Sequence, residues 1–509
     1  MLLAAAVVSA TAEVPIDYSA EAIGTASTAK LAPYYMASNN YGTLTQGKNL
    51  QLRASLKHDW DTTRRFSWGF GVEVIAGLSN RAPYSHVVTA GTESAPPTVA
   101  DTWQRPAAFW LHQLYGEIRY RSIFVSLGSK ERSSAWLNDR LASGDLTESA
   151  NARPIPQLRI GFSHFVPVPF TKRWFQIDAQ YSLGHTTDNA WLRNHQNHYN
   201  GLLTTGVWYS YKRIYLGSNP DKPLFGFLGV QMGTQIAGST TKYHNGVASE
   251  TVNDPFTFKS FLHTIIPSNG TRKGNERYYD GNGVGSFDFH LRYRFRDGKQ
   301  LKLYLQRPFE DASGMGFLNG FDGVYGIEYK AAKPGYVNGV VVEYLDFTNQ
   351  SGPVHWAPGD HPDLPAELRK GQATGNDDYY NNFQYNGYAH YGMSIGTPML
   401  QSTLYDHSGT LRYYHNRIRG FHIGIEGNIT PAIDYRVLLS HRTSWGTYSI
   451  PDLSKPTAFA MMIEAGYDAP FLRGLRFKAQ LALDRGRLYG NNFGALISAR
   501  YSGNFTLGK

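Results

Sequence analysis

The chain has 509 residues, 49 Lys and Arg against 40 Asp and Glu, 10 Trp, 34 Tyr, 27 Phe, 52 Gly and no Cys. The missing cysteine excludes disulfide staples, a thiolate nucleophile, Cys-ligated metals and a lipid-modified cysteine. A mean hydropathy of −0.39, with no apolar run near the ~18–20 residues of a spanning helix, excludes a helical membrane protein but not a barrel, whose wall meets lipid with every second residue.

The first residues read as a partial secretory signal over 1–12. Leu2 to Val8 is apolar but too short to span, and Ala10-Thr11-Ala12 offers a small-residue cleavage site before Glu13. Residues 13–30 are expected as an N-terminal periplasmic segment, and 31–509 as one barrel. In chain order, Leu50, Leu52, Ala54 and Leu56 alternate with Gln51, Arg53, Ser55 and Lys57. Trp68, Phe70, Val72, Val74 and Ala76 share one face. Phe175, Ile177, Ala179, Tyr181 and Leu183 oppose Gln176, Asp178, Gln180 and Ser182. The cleanest run sets Phe287, Phe289, Leu291, Tyr293 and Phe295 against Asp288, His290, Arg292, Arg294 and Arg296. Leu475 to Asp484 repeats the pattern before a last strand at 493–501. Period two sends successive side chains to opposite faces of a strand. Charge on one face and large aromatics on the other imply two different solvents across the wall.

The links favour a membrane barrel over a soluble β-sandwich. Asp297-Gly298 is a tight turn; 331–336, 429–432 and 468–474 are short; 308–322, 443–456 and the segment after Asp346 are long. The fold class expected is therefore all-β: a transmembrane antiparallel barrel with short periplasmic turns and long extracellular loops. Parity places 486–491 outside and requires an even strand number, about 16–18 at roughly 28 residues per strand. The stretches 79–108, 131–155, 238–284 and 347–382 read as long irregular loops, with a short helix expected within Ser133 to Asp145.

Chemistry-bearing patterns are sparse. There is no Gly-x-Ser-x-Gly elbow, phosphate loop, His-Glu-x-x-His or His-x-Ser. His195 and His198 would share a metal only on a helix, and the reading preferred here is loop histidines in hydrogen bonds. Asp377 and Asp378 in GNDDYYNN offer Ca²⁺-type oxygens, though an Asx turn cluster is the favoured reading. Glu310 and Asp311 form a carboxylate pair that a catalytic reading would use; just past a strand end, such a pair is commonplace. The aromatic and amide mixture GNDDYYNNFQYNGYAHY at 375–391 suits either sugar stacking or an interfacial girdle. Arg292, Arg294 and Arg296 would face the lumen, pairing with neighbouring carboxylates or attracting an anionic glycan.

A series of motifs resembles the capsule assembly Wzi family of outer-membrane proteins. They run APYYMASNNYG (32–42), LASGDLTESANARPIPQLRIG (141–161), HQNHYN (195–200), RPFEDASGMGF (307–317), FDGVYGIEY (321–329), EYLDFTNQSGP (343–353), GNDDYYNN (375–382), YGMSIGTPML (391–400), HNRIRGFHIGIEG (415–427) and SHRTSWGTY (440–448). The resemblance implies a barrel of about eighteen strands. It also implies a lectin-like, non-enzymatic role in attaching or organising capsular polysaccharide at a Gram-negative cell surface, in a monomer without cofactor. Residues matching the family's polar motifs are Asn151, Arg153, Glu310, Asp311, Asp322, Asp377, Asp378, Tyr379, Tyr380, Asn381, Asn382, Asn416 and Arg417. They are expected in glycan contact or lumen structure. The chain departs from the family in carrying Phe505 in place of a terminal aromatic, and in its short segment before the first strand. A porin or sugar channel is the alternative, and an enzyme built on Glu310 and Asp311 a third.

Overall fold

The alternating runs become the staves of a closed antiparallel barrel in the computed structural model. The structure describes residues 13–92, 94–266, 269–273, 276–310, 312–353 and 375–508. Among them eighteen staves close the wall. The first nine are β1 (Val14–Ser27), β2 (Asn49–His58), β3 (Phe66–Ser79), β4 (Phe109–Tyr120), β5 (Ile123–Ser129), β6 (Gln157–Phe162, resumed at Val166–Pro167), β7 (Gln176–His185), β8 (Trp208–Gly217) and β9 (Leu224–Ile236). The rest are β10 (Asn282–Arg294), β11 (Gln300–Phe309), β12 (Gly323–Lys330), β13 (Gly339–Asp346), β14 (Ile418–Thr430), β15 (Ile433–Ser444), β16 (Thr457–Asp468), β17 (Leu475–Gly486) and β18 (Asn492–Leu507). Each pairs with the next, and β1 pairs with β18 from Val14↔Leu507 to Ser27↔Gly494, so no sheet edge is left open.

The expected faces hold. Leu50 and Leu52 on β2, Phe289 and Tyr293 on β10, and Phe477 and Leu481 on β17 are exposed on the outside, while Gln51, Asp288, His290, Gln480 and Asp484 are buried inside. The short links, from 121–122 to 331–338, leave one rim of the barrel and the long links the other. Both ends of the wall, Val14 and Leu507, lie at the short-turn rim, as an even stave count requires.

Three expectations are corrected. Residues 13–30 are not a segment outside the barrel, because Val14–Ser27 is its first stave, paired with β2 and β18. The long links are not irregular throughout: 80–108 carries the hairpin Ala82–Thr89/Thr98–Gln104, and 237–281 carries Gly238–His244/Val247–Asp254 and a helix, Phe258–Ile265. Ser133 to Asp145 is not helical. There the Asp139 carboxylate accepts from the Ser134 amide and hydroxyl, and Asn138 accepts from the Arg140 amide. Such local side-chain bonds compete with the helical ladder. The signal at 1–12 lies outside the described residues.

The lumen is packed in its long-loop half. Down the inward face of β2, Gln51 is buried, Arg53 and Ser55 are half-buried and Lys57 is exposed, so the filling ends partway towards the short-turn rim. Three long links supply it: 28–48, 130–156 and 375–417. Tyr34, Tyr35, Met36, Leu141, Leu146, Tyr380, Met393 and Met399 from these links form one apolar cluster with wall residues such as Tyr209 and Tyr304.

Candidate functional site: the lumen plug and its outer rim

The plug is locked to the wall by buried polar bonds. Asp145, fully buried, accepts from the amides of Thr147 and Glu148 and from the side chains of Gln231 on β9 and Gln306 on β11. Arg159 on β6 grips both Glu148 oxygens through Nη2, at 2.6 and 2.7 Å. Glu343 on β13 accepts from the Ser143 amide and the Tyr304 hydroxyl. At one close approach of plug to wall the wall residue is glycine: a Cβ on Gly233 would lie 1.8 Å from the Tyr388 hydroxyl. A buried polar network rigidifies when its members are satisfied, and this one holds loop to wall from several sides.

The residues singled out by motif converge on this plug. Asp377 accepts from the Ser313 and Ser351 hydroxyls. Asp378 accepts from Arg412, Asn381 and Asn416. The Tyr379 hydroxyl donates to Asp322, which also accepts from the amides of Asn349 and Gln350. Tyr380 donates its amide to Glu310 at 2.6 Å and its hydroxyl to the Leu146 carbonyl. Asn381 brackets Tyr413 by its amide and carbonyl, and Asn416 donates to the Tyr379 carbonyl. Asn151 joins the Ser394 carbonyl to the Asn39 amide, and Asn382 reaches Asn282 on β10 at 3.4 Å. Asp311 lies outside the described residues.

These contacts answer the open readings. Tyr379, Tyr380, Tyr385 and Tyr388 are between 0 and 6 % exposed, so they are neither a girdle nor a free stacking surface but the core of the plug. Asp377 and Asp378 sit in a side-chain and turn network, the reading preferred for them. His195 stacks on Trp191 at 4.0 Å and His198 on Tyr243 at 4.5 Å. Among the described residues no three His, Asp or Glu converge as metal ligands. The arginine face of β10 is tied to the neighbouring turn 218–223 by donating to its carbonyls: Arg292 to Pro220 and Arg294 to Asp221. The sequence reading did not anticipate Asp145, Glu148, Arg159 or Arg442 as plug clamps.

Two motif arginines stand at the outer rim. Arg153 lies between Trp110 and Tyr391, 4.6 and 4.4 Å from their ring centres. Arg417 lies 3.8 Å over Tyr448 and donates to the Thr348 carbonyl. Neither forms a carboxylate ion pair among the described residues, whereas Arg412 and Arg419 pair with Asp378 and Asp346. Burial depresses the Arg153 guanidinium to about 10, still charged at neutral pH. Arg417 thus presents a cation on an aromatic face, which can stack on a sugar ring or meet an acidic group, whereas Arg153 keeps its charge between two rings. Beneath the plug, a cavity of about 270 Å³ is lined by Glu21, Arg53, Lys57, Glu73, Tyr115 and Arg500, a mixed-charge lining of no single sign.

Asp322 supplies a pH test of the plug. Burial, partly offset by its hydrogen bonds, raises its carboxyl to about 6, above its ordinary value near 4. A folded pKa raised in an acid means the native state holds the proton more tightly, so stability is lost as pH rises from about 4 through 6. The plug is expected to be tighter at pH 4.5 than at pH 7.5, by on the order of 1–3 kcal/mol. Hydrogen exchange of the Asn349 and Gln350 amides measures this, and Asp322→Asn should flatten the difference; equal protection at both pH values in the parent would refute it.

No family model and no curated relative matches the chain. Among solved structures it is similar to Wzi, an outer-membrane protein of Escherichia coli involved in group 1 capsule assembly and a carbohydrate-binding β-barrel, at 12 % identity and a TM-score of 0.54 over 94 % of this chain and 83 % of that one. It also aligns with two Acinetobacter baumannii proteins. For OccAB2 the identity is 10 % and the TM-score 0.46, over 96 % and 98 % of the two chains. For OccAB4 they are 10 % and 0.44, over 97 % and 99 %. At these identities the likeness is one of fold: a large outer-membrane-type β-barrel.

Proposed function

We propose that this chain is a non-catalytic outer-membrane barrel of the capsule assembly Wzi family that binds surface polysaccharide, acting as a monomer without cofactor. The observation that carries the reading is the plug. The loop segments that would line an open channel are packed into the lumen, and the outer rim is left with arginines on aromatic faces. A packed lumen is compatible with a binding surface, whereas a passive porin needs a continuous path. The carbohydrate-binding β-barrel of E. coli supports the reading as a structural neighbour. The excess of basic residues, +9 overall, favours an acidic glycan.

Deletion of the gene tests it directly. Cell-attached polysaccharide is expected to fall and released polysaccharide to rise; unchanged surface polysaccharide would sink the proposal. Purified protein should bind the polysaccharide, and Arg153→Ala with Arg417→Ala should weaken binding by about tenfold or more, since a charge-assisted hydrogen bond contributes ~1.5–3 kcal/mol. Planar-bilayer conductance separates the channel alternative: a plugged barrel passes little current, and steady conductance in the parent would favour a channel.

A further inference from the structure

The outer wall carries an anomaly over β7 to β9. On β8, Tyr209 and Tyr211 point inward, where they meet Tyr388 and Gln231. Ser210, Lys212, Ile214 and Leu216 therefore point outward. On β9, Gln231 and Gln235 bond inward to Asp145 and the Gly387 carbonyl, so Met232 and Thr234 point outward. The register sets Lys212 opposite Met232, Ser210 opposite Thr234 and Tyr181 opposite Lys212. Ile214, Leu216 and Leu228, on the same face nearer the short turns, are 46 to 61 % exposed, as lipid-facing residues are. Ser210, Met232 and Thr234 are 0, 4 and 3 % exposed. Something covers them from outside the barrel.

The cover is the helix Phe258–Ile265, from the long link 237–281. Lys212 donates to the Thr264 carbonyl at 2.6 Å, at the end of the helix where unpaired carbonyls accept cations. The Tyr181 hydroxyl meets Thr264 Oγ1 at 2.7 Å, and the Phe261 ring packs edge-on against Tyr181. Phe256, just before the helix, stacks on Trp208 at 4.4 Å between ring centres. The Thr257 and Ser260 side chains form a reciprocal capping box that starts the helix. Ser260 and Thr264 turn to the wall, four residues apart, while Phe258, Leu262, Ile265 and Ile266 turn away and are 75, 46, 42 and 72 % exposed.

Depth decides what meets that outer face. Lys212 lies five positions from the short-turn end of β8 at Gly217. With ~3.3 Å per residue and a tilt of ~40°, that is about 12 Å along the barrel axis, inside an apolar band ~25 Å tall. A bare lysine facing outward there would be in hydrocarbon, so the helix satisfies it with a backbone carbonyl and presents apolar side chains in its place. We propose that Phe258–Ile265 is a strap laid on the outside of the barrel within the bilayer, with Phe258, Leu262, Ile265 and Ile266 in contact with lipid acyl chains. The strap restores the apolar belt over a polar patch of wall. This inference is independent of the glycan reading and rests on the barrel alone.

The absence of cysteine makes the test clean. Phe258→Cys and Leu262→Cys variants of the full chain carry a single fluorophore each in phosphatidylcholine liposomes. Leu228→Cys serves as a lipid-facing reference and Glu250→Cys, on the exposed hairpin, as an aqueous one. Labels at 258 and 262 should be quenched by nitroxide on the acyl chains as strongly as the label at 228 and be spared by aqueous iodide. Quenching by iodide like that at 250 would place the helix in water and overturn the proposal. Shielding from both quenchers would assign the face to protein and overturn it equally. Because the two positions sit on the outer face, neither substitution touches the wall contacts, and a variant that fails to assemble leaves the other to report.

Discussion

Arg159→Ala is expected to release the plug and turn a quiet barrel into a leaking one. The Arg159 guanidinium holds both oxygens of Glu148 and lies 4.7 Å over the Tyr211 ring. Both partners are nearly excluded from solvent, at 5 and 10 % side-chain exposure. Removing one member leaves a buried, uncompensated charge, at a cost of about 3–5 kcal/mol. That loss falls on the plug. Glu148 belongs to the link 130–156, whereas β6 remains held by its ladders to β5 and β7. Conductance in planar bilayers should therefore rise from near zero to frequent openings, and protease should cut within 130–156, while the amides of the wall ladders keep their exchange protection. Arg159→Met combined with Glu148→Leu should restore the quiet state, because an apolar pair of similar volume replaces a buried ion pair at little cost. A single variant as silent as the parent would show that the plug is held elsewhere.

The wall was legible in the sequence because lipid and lumen act on alternate residues. Where both faces carry strong side chains, as at Phe287–Arg296, the period is plain. It fails at β1. There the outward run Ile16, Tyr18, Ala20, Ala22 and Gly24 loses its large side chains after Tyr18, so the period fades halfway along, and the stave is defined by its long-range pairing to β18. The plug was illegible for a different reason. A loop rich in Tyr and Asn has one composition whether it stacks on sugar, lines a girdle or fills a lumen. What decides is where the loop goes, and that depends on partners far along the chain. Tyr388 seats against Gly233, and Leu141 against Gly424, where a Cβ would come within 2.3 Å of its carbonyl oxygen. Glycines at inward positions of otherwise regular staves were the available signal: a wall without side chains implies that something else occupies the space. The strap helix was likewise visible as Phe258, Leu262 and Ile265 at helical spacing behind a Thr-x-x-Ser start. Nothing in that spacing says which side of the wall it covers. The motif residues Asn151, Asp322, Asp377, Tyr379 and Asn416 lie together in the structure as plug cement, and of the motif arginines neither Arg153 nor Arg417 has a carboxylate partner among the described residues.

Arg442→Lys tests whether that cement depends on shape as well as charge. Arg442 on β15 is 1 % exposed, yet among the described residues it forms no carboxylate ion pair. Its Nη1 donates to the Met399 carbonyl at 3.0 Å and to the Tyr489 hydroxyl oxygen at 3.1 Å. The guanidinium plane lies 4.0 Å over Tyr34 and 4.7 Å over Tyr489. Tyr34 in turn donates its amide to Asp484 on β17. Three segments at the outer rim, 28–48, 375–417 and 487–491, thus meet on one side chain. A lysine keeps the charge, but its compact, strongly hydrated ammonium cannot stack between two rings while bonding two oxygens. Two desolvated cation–π contacts of about 2 kcal/mol each and a hydrogen bond of ~1 kcal/mol are lost with the fork, so the substitution should cost on the order of 5 kcal/mol. Hydrogen exchange is expected to show amides of 31–46 and 391–400 losing protection together, while those of β14 to β17 keep theirs. Independent loss in one segment alone would mean that the guanidinium does not couple them. Full protection in both would mean that a charge at this position is sufficient and its planarity is not.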